Sequence, residues 1–172
     1  MKSNLTENQI NLIINSFHFF LKEPFPYNTA PEQIYNGNFV LLSHNTEKDP
    51  IFNYANLKAQ ELFEMDWETI TKLPSKFSAE PMEQSERNLF LQKTIKDGFV
   101  KNYNGIRISK TGNRFWIKDA IIWNLIDEHH NYKGQAALFF KMGIYPLKKN
   151  HYGFTFTILF LIFSVPILIE SK

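Results

Sequence analysis

The chain has 172 residues, 44% of them hydrophobic and 16% aromatic, which is enough to fill one domain core and too apolar for a disordered chain. Its net charge is +2, and the 19 basic residues form no run of five, so no nucleic-acid-binding stripe is expected. The absence of cysteine excludes disulfides, thiolate nucleophiles, cysteine-type zinc sites and cysteinyl-flavin photochemistry.

The first segment, "MKSNLTENQINLIINS", is polar and interrupted, unlike a secretory signal. Residues 6–24 read as an amphipathic helix. Ile10, Ile13, Ile14, Phe17 and Leu21 fall on the i, i+3, i+4, i+7 stripe. Thr6 and Gln9 have capping-box spacing, and Pro24 and Pro26 stop the helix. Residues 24–38 read as a proline-rich linker. A strand at 39–44, a polar turn "NTEKDP" and a strand at 51–55 form a hairpin. Asn56 then caps a helix, a role worth about 1 kcal/mol. Asp66 caps a second short helix closed by Pro74. The longest helix after the first carries Pro81 in its first turn and Gly98 just past its end. From Tyr103 onward the period becomes two. Strands at 103–109, 114–127 and 135–141 are joined by "KTGN" and "EHHNYKG". The expected fold class is α+β, a five-stranded antiparallel sheet with helices between the second and third strands, preceded by an amphipathic helix.

That layout is similar to the PAS fold, in which a strand runs through an asparagine straight into a helix, as "IFNYANLKAQELFEMDWETI" does. "LSH" at 42–44, "YAN" at 54–56, "LPS" at 73–75, "SAEP" at 78–81, "GIRIS" at 105–109, "RF" at 114–115, "WNL" at 123–125 and "GQAA" at 134–137 narrow the resemblance. As a set they resemble the MEKHLA domain over about residues 34–141, a PAS-like domain found alone in bacteria and at the C-terminus of plant leucine-zipper homeodomain factors. The resemblance implies a PAS-like fold and a sensing or interaction role, and brings no settled ligand or catalytic residue.

A PAS-type pocket would lie between the sheet and the helices. On strand alternation, Phe115, Ile117, Asp119, Ile121 and Trp123 share the face expected to be core, and Arg114, Trp116, Lys118, Ile122 and Asn124 share the other. Asp119 is then an unexpected carboxylate in the core, with Arg107 as its candidate partner. The candidate ligand-binding residues are Arg107, Asp119, Trp123, Asn124 and Gln135; their bland reading is an ion pair at the sheet edge and amides bonded to nearby backbone. Flavin-binding PAS domains use amides on late strands to hold the ring system, and Asn124 and Gln135 match that pattern only in part. Haem of the common PAS type would need a histidine on the helices, and residues 56–98 contain none. His44 is expected to bond backbone at its turn. His129 and His130 are neighbours in a loop, and no metal site is expected there.

Residues 152–169 carry no charge, long enough to span about 30 Å as a helix, with Lys148 and Lys149 before them. They read equally as a membrane segment and as an out-of-frame tail of an AT-rich gene. The expected function is a PAS-like sensory, ligand-binding or interaction module in the cytoplasm and not an enzyme; no cofactor is identified. Its expected partners are a small apolar or aromatic ligand, a second copy or a signalling protein. The other readings are a membrane-tethered adaptor and an enzyme built on Arg107 and Asp119, which no motif supports.

Overall fold

The computed structural model describes residues 2–79 and 81–144. It opens with α1 (Lys2–Leu21) and a one-turn helix α2 (Pro31–Tyr35), followed by β1 (Val40–His44) and β2 (Phe52–Ala55). Helices α3 (Leu57–Phe63), α4 (Trp67–Ile70) and α5 (Pro81–Asp97) come next, with a 3₁₀ turn at Ser75–Ser78 before α5. The chain closes with β3 (Phe99–Ile108), β4 (Arg114–Ile126), β5 (Tyr132–Phe139) and β6 (Lys141–Ile144). The sheet order is β2-β1-β5-β4-β3, with every ladder antiparallel, and β6 pairs with the first half of β4. This is the five-stranded α+β arrangement expected, with helices between its second and third strands.

Several boundaries differ from the sequence reading. Helix α1 starts at Lys2, so Thr6 lies inside it, and Gln9 turns to the sheet and donates to Ser43 Oγ at 3.0 Å. Pro31 supplies the preset φ of a first helical turn, so the supposed linker contains α2. The last strand breaks at Phe140 and resumes as β6, which takes in Met142 to Ile144. The apolar segment at 152–169 lies outside the described residues. Among the described residues no helix is long and apolar enough to cross a membrane.

The sheet is covered on both faces. On the outer face, Ile10, Ile13, Ile14, Phe17 and Leu21 of α1 are all buried against Leu41, Tyr54, Trp123, Leu125, Ala136 and Leu138. On the inner face, Ala59 and Phe63 of α3 and Ile70 of α4 cluster with Val40, Leu42, Phe115, Ile117, Ala120, Ile122 and Phe139. Successive residues of β1 and β5 alternate between the two clusters, as the pleat requires.

Strand β4 departs from that alternation. Asp119 takes a left-handed φ of 53° and Asn102, on the neighbouring strand, one of 58°. Both residue types tolerate this conformation better than branched ones. The β3–β4 register shifts around Tyr103, and Asn104 Oδ1 accepts the Asp119 N–H at 3.1 Å. The irregularity changes the phase of the strand. Phe115 and Ile117 face inward before it, and Ala120 and Ile122 face inward after it, while Ile121, Trp123 and Leu125 face α1. Asp119 is exposed. The expectation that Asp119 shares a core face with Phe115 and Trp123 is therefore wrong, because it assumed unbroken alternation through a residue that interrupts it.

Candidate functional site

Asn56 illustrates how the inner and outer layers are joined. It follows β2 directly and is fully buried. Its Oδ1 accepts the N–H of Ala59 at 3.1 Å, which caps α3, and also the N–H of Leu41 at 3.0 Å. Its Nδ2 donates to the carbonyls of Phe39 at 2.6 Å and Ile34 at 3.4 Å. One side chain thus satisfies groups on α2, β1 and α3. Its role is architectural.

Between the inner face and the helices lies a cavity of about 60 Å³. Its wall includes Leu42, Phe52, Phe63, Leu91, Ile117, Ile122 and Phe139, with Tyr103, Arg107, Ser78, His44 and Gln135 among its polar members. Pockets for drug-sized ligands run to roughly 300–1,000 Å³.

Arg107 is buried in the cavity wall, only 7% exposed. Its Nη2 donates to the Tyr103 hydroxyl at 2.6 Å and its Nη1 to the Ile106 carbonyl at 2.7 Å, and its guanidinium lies 5.3 Å from the Tyr103 ring centre. Gly105 stands between them on the same face. A Cβ there would fall on the Tyr103 hydroxyl and within 3.1 Å of Arg107 Nη1, so the missing side chain lets tyrosine and arginine meet over the strand. The expected Arg107–Asp119 pair does not form, since the bulge turns Asp119 away from the inner face.

Asn124 and Gln135 are neighbours across β4 and β5 and are both buried. Gln135 Nε2 donates to Asn124 Oδ1 at 3.0 Å and to the Leu91 carbonyl at 3.1 Å. Asn124 Nδ2 donates to the carbonyls of Thr94 at 2.9 Å and Ile95 at 3.2 Å. These carbonyls belong to the last two turns of α5, and that of Thr94 also accepts the Gly98 N–H at 2.8 Å. The amides therefore clamp the end of α5 to the sheet, and Gln135 alone of the two lines the cavity. Trp123 is fully buried, but on the opposite face. Its Nε1 donates to the Ile13 carbonyl at 3.1 Å and its ring meets Phe17 edge-on at 5.1 Å. The sequence reading missed Tyr103, although its spacing of four from Arg107 along one strand puts both on one face. His44 Nδ1 lies 2.8 Å from the Asn45 carbonyl, the backbone contact expected of it.

These residues do not fit a flavin. The cavity is far smaller than a three-ring system, and both amides are already bonded to each other and to α5.

Glu64 links the helical layer to the β3–β4 hairpin. Its carboxylate accepts from the hydroxyls of Ser109 and Thr111 and from Asn113 Nδ2 at 3.0 Å. The Ser109 hydroxyl first, then Thr111 and Asn113, lower its pKa to about 2 against the opposing effect of desolvation.

Comparison with solved structures finds the same architecture. The PAS domain of a protein from Colwellia psychrerythraea superposes with a TM-score of 0.56 at 11% identity, over 66% of this chain and 92% of that one. The light-state dimer of the fungal blue-light photoreceptor Vivid gives 0.52 at 16% identity, over 73% and 91%. An RNA-binding light-oxygen-voltage receptor gives 0.51 at 13% identity over 63% of this chain, which spans 30% of that receptor. At these identities the likeness is one of fold. No curated protein matches the chain in sequence. The MEKHLA domain family matches residues 7–143, a range that takes in most of α1 together with β1 to β5 and most of β6. The chain belongs to the MEKHLA domain family, built on a PAS-like fold.

Proposed function

We propose that this chain is a sensory module that binds a small ligand in the cavity on the inner face of its sheet and passes on the bound state by association, without catalysing a reaction. The observation that carries this reading is the cavity wall. It is largely apolar, and its polar groups are suited to holding a ligand. The Arg107 guanidinium offers a positive charge and planar N–H donors, which suit holding an anion. The Tyr103 hydroxyl is engaged by Arg107. Helix α5 contributes Leu91 to the wall and is clamped to the sheet by Asn124 and Gln135, which gives occupancy a route to the surface of the module. A second copy of the chain or a signalling protein would receive the signal.

The test is a thermal-shift screen of the full chain against small acids, amides, alcohols and aromatic metabolites, together with mass spectrometry of anything that copurifies. A saturable stabilisation by any compound, lost when Leu91 or Ile122 is replaced by Trp to fill the cavity, is expected. A screen without a single shift would replace the ligand reading with a purely protein-interacting one. Conversion of a binding compound to product would overturn the non-enzymatic assignment.

A further inference from the structure

We infer that the ligand class of this cavity is a short monocarboxylate of about two to four carbons, held by Arg107 and Tyr103. The inference rests on the ligand-binding reading above and specifies its chemistry.

A buried guanidinium is expensive unless opposing charge and hydrogen bonds compensate it. Here both partners of Arg107 are neutral: the Ile106 carbonyl and the Tyr103 hydroxyl. Arginine has five N–H donors, and among the described residues the others meet no acceptor and no carboxylate. Tyr103 accepts from Arg107, and its own proton has no acceptor among the described residues. Two converging donor groups at the edge of a cavity match the two oxygens of a carboxylate, which guanidinium binds as a planar fork. The arrangement is built into the strand: "YNGIR" places Tyr103, Gly105 and Arg107 on one face, and Gly105 has no side chain to separate the other two.

The rest of the wall sets size and charge. Among the described lining residues Arg107 is the one guanidinium or ammonium group and none is a carboxylate, so a single negative charge is matched there and a second would be buried without compensation. Leu42, Phe52, Phe63 and Phe139 suit an apolar tail. The volume of about 60 Å³ limits that tail to a few atoms.

Acetate, propionate and pyruvate are to be titrated into the full chain at constant ionic strength, beside acetamide and propionamide as neutral analogues of equal shape. At a hundredfold excess over Kd the acids should raise the melting temperature by about 5–10 °C and the amides far less. Arg107→Met should abolish the shift. Tyr103→Phe, which leaves the charge in place and keeps the test decisive if the arginine variant fails to fold, should weaken binding about tenfold. Equal shifts from acids and amides would overturn the carboxylate assignment and leave the ligand-binding reading standing. Acid binding that persists in Arg107→Met would place it elsewhere and also overturn the assignment. No shift from these compounds or from the wider screen would remove both.

Discussion

The two faces of the sheet are packed for different purposes. The outer face receives a twenty-residue helix whose apolar stripe packs closely on Trp123, Leu125 and Leu138; Trp123 Nε1 donates to the Ile13 carbonyl, the Tyr54 hydroxyl is buried without a partner among the described residues, and an open pocket of about 460 Å³ lies at the edge of the helix, beside Leu12, Phe19 and Asp127. The inner face is covered by shorter helices, borders a partly open cavity of about 60 Å³ and buries Arg107, Asn124 and Gln135. Close packing is what a fold needs for stability, and a tight aromatic interface tolerates little change. Free space beside a buried cation lowers stability and favours recognition. The comparison divides the domain into a stabilising face and a binding face.

Substitutions on the two faces should therefore differ in cost. Trp123→Ala on the outer face removes a fully buried ring that touches Phe17 and is expected to lower stability by about 3–5 kcal/mol in urea denaturation. Leu42→Ala, beside space that is already empty, should cost about 2 kcal/mol, the low end for such a truncation. Equal losses at the two positions would refute the division.

Asn56 lies where the layers join, and Asn56→Ala is expected to cost about 3 kcal/mol, since it leaves several buried backbone groups without partners. A loss near 1 kcal/mol, the value of a simple helix cap, would mean that the other bonds contribute little. Asn124→Ala should cost about 1–2 kcal/mol, and hydrogen exchange at the last turn of α5 should speed up while α1 amides stay protected. Unaltered exchange in α5 would show that the amide clamp does not hold the helix.

The smallest effect concerns Glu64 at the edge of the inner layer. Its folded pKa of about 2 lies below its ordinary 4.5, so the carboxylate favours the folded state above about pH 4.5. That contribution is lost as pH falls through 4.5 toward 2. Glu64→Gln should therefore melt below the parent at pH 7, and the gap should close on acidification. A gap that widened at low pH would contradict the assigned direction.

The elements that sequence reading located correctly are those whose signals are local. The stripe of α1, Asn56 capping α3, Asp66 accepting from the Thr69 N–H at 2.8 Å, and the Pro81 and Gly98 boundaries of α5 each depend on residues within a few positions of one another. Arg107 and Gln135 reach the cavity wall because each sits in a strand segment with regular alternation. Trp123 was legible as core but not as outer-face core. The difference lies in Asp119, whose left-handed φ and hydrogen bond to Asn104 are imposed by pairing with a strand fifteen residues away. The volume of the cavity, the return of β6 along β4 and the engagement of Asn124 with α5 were likewise decided in three dimensions. Periodicity reports which side a residue takes only while the backbone keeps its repeat, and a bulge is set by long-range strand pairing that no local window of sequence contains.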